Sequence, residues 1–401
     1  MKKEHLMTLI SLFILWACGQ REDDILSKSP LVDSYTIGPF SVNISKLVLF
    51  KSSDVLEKPY SRIPAIVIAN NGNIIAACEK RKASGDKGEI DVILAVSSDD
   101  GNIFTKSILF ENNTVTGRKM NPNFVVDRTG VHGVKGRIYC FVLAFSNPDK
   151  LSNQVDKNET STLYKYSDDN GLSWSNEIKL NLPDKYIVFG PSPANGIQLE
   201  NGTLVIPAFI TLPDKSFRTG IIFKVTNGDW QFSCINNTEQ NYMDNESTII
   251  LYGDGNQVLL NARNGTTTQR HVYYSNSISN NMISEDIVWT VHDSAQFNVI
   301  GACQGSLLAI PDNNIYLFTN PVEASRSHTC IWLSPDLIKW IPFHSVTTES
   351  TGGYSAITYY NNQLFIIYES NPDVTECEIQ NLSPIVPYLP DFFNNVIAGN
   401  Q

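Results

Sequence analysis

Ser97-Ser98-Asp99-Asp100-Gly101-Asn102-Ile103-Phe104 and Ser167-Asp168-Asp169-Asn170-Gly171-Leu172-Ser173-Trp174 share one pattern, S-x-D-x-G-x-x-[W/F]. Ser334-Pro335-Asp336-Leu337-Ile338-Lys339-Trp340 is a weaker copy without the Gly. Each copy follows a strand-like run, at residues 92–96, 162–166 and 329–333. The residue types suit a tight turn: Asp and Ser side chains satisfy turn backbone groups, Gly takes positive φ, and the aromatic packs between sheets. Copies that recur at multi-strand spacing mark a repeat architecture.

The chain around these turns reads as hairpins. Residues 63–69 and 74–78 flank Asn71-Gly72, 248–252 and 257–261 flank Asp254-Gly255, and 355–360 and 364–368 flank Asn361-Asn362. Residues 90–96, 137–145 and 203–209 are further strand candidates. Apolar, β-branched runs separated by two or three turn residues are antiparallel hairpins. No long segment combines helical periodicity with caps, so the expected class is all-β. Residues 47–380 divide into about six units of roughly 50–60 residues, one four-stranded blade each, which predicts a six-bladed β-propeller. The tail, with Pro384, Pro387 and Pro390, is expected to lie against the propeller or to be partly loose.

Lys2 and Lys3 precede an apolar stretch over 6–17, too short to span a membrane and laid out like an export signal. Leu15-Trp16-Ala17-Cys18-Gly19 resembles a bacterial lipobox, with Trp16 where a small residue is usual. The expected organisation is a lipoprotein signal peptide over 1–17, a linker and N-terminal extension over 18–45 beginning at a lipidated Cys18, and a propeller domain over 46–401. Glu22-Asp23-Asp24 fits an export tag or a solvated linker. Membrane lipid is thus an expected partner through the anchor, at the periplasmic or outer-membrane surface of a bacterial envelope. A formal charge of −11 argues against nucleic acid, which needs a basic face, but leaves room for a small anion held by a few arginines. Six further cysteines are scattered without a CxxC pair, and the six histidines form no cluster. Buried free thiols are expected, and no metal and no cofactor.

The repeated turns resemble the Asp box of sialidase-like propellers. The resemblance sharpens at Tyr60-Ser61-Arg62-Ile63-Pro64-Ala65, which is similar to the R-I-P motif of the sialidase (neuraminidase) family. Leu260-Asn261-Ala262-Arg263, and Asn320-Pro321 followed by Arg326, resemble the segments that carry the second and third arginines of that family's triad. Gly190-Pro191 and Gln304-Gly305-Ser306-Leu307 extend the likeness over nearly the whole mature chain. It implies that Arg62, Arg263 and Arg326 converge on the carboxylate of sialic acid, because a guanidinium donates paired hydrogen bonds to a carboxylate and stays charged at any working pH. Glu79 and Glu369 would support these arginines. Asp86, in a loop after Arg81, would be the acid/base, with Asp91 the nearest rival, and Arg81 would also contact substrate. Tyr354 would be the nucleophile and Glu246 the group that takes its proton. A phenol avoids the repulsion a carboxylate nucleophile would meet at a centre already carrying a carboxylate, and sialidases are known exceptions to the two-carboxylate rule. Met120 and Asn121, in Lys119-Met120-Asn121-Pro122, are binding candidates by the same likeness. Phe209 and Thr211 stand where the family has tyrosines that reach the glycerol tail.

The resemblance therefore implies a retaining exo-α-sialidase that acts as a monomer on sialylated glycans. A trans-sialidase and a sialic-acid-binding surface propeller without turnover are the alternatives.

Overall fold

The computed structural model describes residues 25–27, 32–37, 40–112, 117–235, 244–265, 270–292, 303–310, 315–323, 325–347, 351–371 and 373–397. Cys18 and the signal-like segment lie outside them. The fold is mostly strand, in a propeller-like arrangement of antiparallel sheets. Four sheets are separate, and one ten-stranded sheet carries the first part of the chain. Within that large sheet, Tyr60–Ile68, Ile74–Arg81, Ile90–Ser97 and Ile103–Phe110 form one meander, and Arg118–Asp127 opens a second. A single parallel bridge, Ile90 to Arg118, joins the two.

Strand periodicity explains the packing. Along Ile74–Arg81, Ile74, Ala76 and Cys78 face one core and Ile75 and Ala77 face the next, because successive side chains point to opposite faces of a sheet. A strand between two sheets is apolar on both faces, hence the continuous run Ile74-Ile75-Ala76-Ala77-Cys78. The three repeated turns build the same hydrogen-bond pattern. Ser167 Oγ donates to Asp169 at 2.8 Å and accepts from Gly171 N at 2.8 Å, while Asp169 accepts from Ser173 N at 2.8 Å. Ser97, Asp99 and Gly101 repeat this arrangement. The third copy is one residue shorter: Leu337 stands at the position of Asn170 and shares its positive φ (63° against 59°), and its N–H makes the bond to the Ser Oγ that Gly171 makes in the longer turn. A Cβ on Gly171 would stand 2.6 Å from Ile75 Cδ1, so the turn packs directly on the neighbouring sheet.

Closure comes from the two ends of the chain. Phe40–Phe50 pairs with Cys377–Ser383, in a sheet that continues to Gln363–Glu369 and Ser355–Tyr360. The sequence carried no helix expectation, yet a short helix, Leu389–Ile397, follows Pro384 and Pro387 and holds Pro390 in its first turn. Its Leu389 and Phe393 are buried in the core that closes the last sheet. A nine-residue helix offers too few turns for a periodic signal, and this one owes its place to that packing. All six cysteines among the described residues are buried free thiols.

Inner strands run from one face of the molecule to the other. Their far ends, including Val67, Val126, Ile197, Ile249, Leu307 and Ile357, enclose a cavity of about 560 Å³. Their near ends open on a smaller one described below. Removing the shared turn carboxylate in Asp169→Ala should cost about 1–2 kcal/mol in urea unfolding, since at least one backbone donor loses its partner. A change within about 0.5 kcal/mol would show that the turn is held by its packing alone.

Candidate active site

Three inner strands are bulged where they reach this smaller cavity. Register shifts fall between Arg62 and Ala65, between Met120 and Asn123, and between Asp244 and Ser247. Ile63 (φ 53°) and Asn121 (φ 56°) lie in two of these bulges. A bulge re-aims the side chains beside it, and here Arg62, Met120, Asn121, Asn245 and Glu246 all line the cavity. It measures about 370 Å³, and Arg81, Asp86, Arg263, Arg326 and Tyr354 complete its polar wall. Among the described residues, the larger cavity on the far face has only Arg128 and Glu200 as charged lining groups.

Tyr354 is 6% exposed and packs on Ile63 and Cys303. Its hydroxyl donates to Glu246 Oε1 at 2.7 Å and accepts from Arg263 Nη1 at 3.2 Å. Arg263 Nη1 also donates to Glu246 Oε2 at 2.6 Å, closing a triangle of phenol, carboxylate and guanidinium. The guanidinium carbons of Arg62 and Arg326 stand 5.6 Å and 5.9 Å from the centre of the tyrosine ring. Arg62, Arg263 and Arg326, far apart in sequence, thus surround one phenol. Burial, followed by the Glu246 charge, pushes the Tyr354 hydroxyl well above the ordinary phenol range, although Arg263 works the other way. At rest it is a neutral phenol whose proton already points at Glu246.

Glu369 lies behind the cavity, 1% exposed. It accepts from Arg62 Nε at 2.8 Å, from Ile63 N at 3.1 Å and from Tyr354 N at 3.2 Å. Burial works against the Arg62 charge, but Glu369 more than offsets it and the guanidinium is held above its usual range. Gly353 is required here: its φ is +154°, and a Cβ would fall 2.1 Å from Glu369 Oε2.

Glu79 does similar work on the opposite wall. One oxygen accepts from Arg81 Nε at 2.5 Å and the other from Asn121 N at 2.6 Å, so Glu79 ties Arg81 to the bulge of the next inner strand. Arg81 Nη1 in turn donates to Asp86 Oδ1 at 2.8 Å. The Asp86 side chain is 61% exposed. Partial burial would raise its pKa, but Arg81, followed by Arg62 and Arg118, holds it below the ordinary carboxylate range. Asp91, the rival acid, is elsewhere: it is buried, pairs with Lys58 and accepts from Asn112 N at 2.7 Å.

The remaining wall is apolar: Met120, Leu143, Phe145, Leu151, Phe209 and Phe217. Phe209 reaches the cavity, whereas Thr211 is buried and outside it. Sequence reading missed Arg118, Phe217 and the 151–153 segment, which also line the cavity. Arg118 had a usable signal, since it stands two residues before Met120 on one strand and even spacing shares a face. The 151–153 segment had none, because a loop carries no periodicity.

Removing one charge from this site tests its framework. Glu369→Gln should cost about 2–4 kcal/mol in denaturant unfolding, because it leaves a buried guanidinium without its counter-charge. A cost under about 0.5 kcal/mol would mean that Arg62 is held by something else.

Comparison with known proteins agrees with this geometry. Residues 63–369 match the model of the BNR repeat-like domain. A sialidase of Clostridium perfringens is 27% identical over 375 residues, covering 84% of this chain and 93% of that protein. Among solved structures, the Hadza microbial sialidase Hz136 superposes with a TM-score of 0.72 at 21% identity, over 84% of this chain and 68% of that one. Trypanosoma rangeli sialidase gives 0.71 at 20% identity, over 89% and 62%. The T. rangeli protein is also known in complex with sialic acid and, with 2,3-difluorosialic acid, as a covalent intermediate. The chain belongs to the BNR repeat-like domain family, as a member whose matched relatives are sialidases.

Proposed function

We propose that this protein is a retaining exo-α-sialidase that hydrolyses terminal sialic acid from glycoproteins, glycolipids or oligosaccharides. The observation that carries the reading is the bond from Tyr354 Oη to Glu246, set among three arginines that face one cavity. Sialic acid carries a carboxylate on its anomeric carbon. Arg62, Arg263 and Arg326 bind that carboxylate, which places the anomeric carbon over the phenol. Asp86 protonates the glycosidic oxygen as Tyr354 Oη attacks the anomeric carbon and its proton passes to Glu246. The glycosidic bond breaks and a sialyl-tyrosine forms. Water, deprotonated by Asp86, then displaces the tyrosine, which regains its proton from Glu246. Two inversions give net retention. A phenol of raised pKa suits this course, because the phenolate arises only as the proton leaves.

The apolar wall beside Asn121 accommodates the N-acyl group, with Met120 in contact. Arg81 reaches the sugar from the same side as Asp86. We further propose six blades in the propeller, with the three shared turns as Asp boxes on the face away from the site. An anchor at Cys18 would hold the protein, as a monomer, at the surface of the cell envelope; Ile25–Ser27 pairs with the strand Ile103–Phe110.

Kinetics on an aryl sialoside and on sialyl-lactose isomers test the reading. Tyr354→Phe should lower kcat by about 10³-fold or more, and Asp86→Ala should lower kcat/KM by roughly 10²–10⁴-fold. Proton NMR of the first product should show the α-anomer; release of the β-anomer would rule out the double displacement. The acid must be protonated to act, and Asp86 is held below its usual range in the free protein. The protonated fraction grows as pH falls, so kcat/KM should rise from pH 8 towards about pH 5. A flat profile over that interval would remove Asp86 from the acid role.

A further inference from the structure

Asp86 sits in a mostly exposed loop, residues 82–89. Proton transfer depends on geometry, and a misplacement of about 1 Å can cost on the order of 10²-fold in rate. Three guanidinium groups grip the loop by its backbone. Arg62 Nη1 donates to Ser84 O at 3.1 Å, Arg81 Nη1 to Gly85 O at 3.0 Å, and Arg118 Nη1 to the carbonyl oxygen of Asp86 itself. Arg62 and Arg81 also face the substrate, which competes for their donors when it binds.

Arg118 is placed differently. It is 1% exposed, and among the described residues it forms no ion pair. Its hydrogen bonds run to carbonyl oxygens: that of Asp86, that of Pro148 at 3.3 Å and that of Lys150 at 2.5 Å. Phe145 fixes the plane of the guanidinium, whose carbon lies 4.1 Å from the ring centre. Gly88 N adds a bond to Pro148 O at 2.8 Å, so two loops are pinned together on either side of Arg118. The second loop continues into Leu151, Ser152 and Asn153, which line the cavity. Burial brings the Arg118 pKa down to about 10, which still leaves the group charged at neutral pH. A planar fork with five donors can hold carbonyls of two loops at once; a lysine offers one point charge.

We propose that Arg118 is a positioning residue for general acid/base catalysis: it holds the backbone of Asp86 so that the carboxyl meets the glycosidic oxygen. This rests on the sialidase reading above. The consequence is specific to the leaving group. A sugar hydroxyl leaves only if protonated, whereas a nitrophenolate leaves without much help. Loss of the tether should therefore weigh on the first far more than on the second.

The test compares full-length wild type, Arg118→Gln and Arg118→Lys on 4-nitrophenyl sialoside and on 3′-sialyl-lactose. For Arg118→Gln, kcat/KM, which reports the leaving-group step alone, should fall by about 10²-fold on sialyl-lactose and at least tenfold less on the aryl glycoside, while kcat falls on both because Asp86 is also the base of the step they share. Arg118→Lys should recover part of the loss. Equal losses of kcat/KM on the two substrates, or a change confined to KM, overturn the proposal. If Arg118→Gln does not fold by circular dichroism, Arg118→Lys, which keeps the charge but not the planar fork, is read by the same comparison of the two substrates. Wild type that turns over neither substrate would instead bring down the sialidase reading, and the tether's catalytic role with it.

Discussion

The site depends on a carboxylate removed from water. Glu369 joins the first inner strand, through Arg62 Nε and Ile63 N, to the segment that carries Tyr354, through Tyr354 N. Arg62 and Glu369 are 307 residues apart in sequence. A buried carboxylate that loses its donors is costly, so the contacts that close the fold and those that assemble the site stabilise one another. Where the chain ends meet as strands, between Phe40–Phe50 and Cys377–Ser383, the same sheet carries Glu369. The pairing that closes the fold therefore also delivers the counter-charge that aligns Arg62.

The cavity works against the charge of the molecule. The whole chain carries −11, yet Arg62, Arg81, Arg118, Arg263 and Arg326 all face one small space. Such crowding is tolerable because acids pair with the arginines: buried Glu369 with Arg62, buried Glu79 with Arg81 and half-buried Glu246 with Arg263. Among the described residues no carboxylate pairs with Arg326, which leaves its charge available to an incoming anion. The backbone is arranged to suit, with bulges at the cavity ends of three inner strands and a glycine at position 353. The two walls differ in kind, the charged one suited to an anion and the apolar one to a less polar substituent.

Much of this was readable from residues alone. Continuous apolar runs such as 74–78 and 364–368, each preceded by turn residues, announced strands packed on both faces. The turn motifs were readable because Ser, Asp and Gly there do local work that needs no distant partner. The chemical residues were found by motif, and Arg62, Arg263, Arg326, Glu246 and Tyr354 do come together. Other features depend on tertiary contacts that no local pattern encodes. Asp86 and Asp91 lie in one segment, and tertiary contacts separate them: Asp91 is buried against Lys58 and Asn112 N, whereas Asp86 reaches the cavity beside Arg81. Arg118 is fixed by carbonyls of two loops, and the helix Leu389–Ile397 by the core it covers.

The central claim is a covalent bond between Tyr354 and the anomeric carbon of sialic acid. Incubation with 2,3-difluorosialic acid, protease digestion and mass spectrometry of the peptides measure it directly. The account predicts one labelled peptide containing Tyr354, with the adduct on the phenol oxygen, and no labelling of Tyr354→Phe. A label on another residue, or turnover of a sialoside by a protein that never becomes labelled, would contradict it.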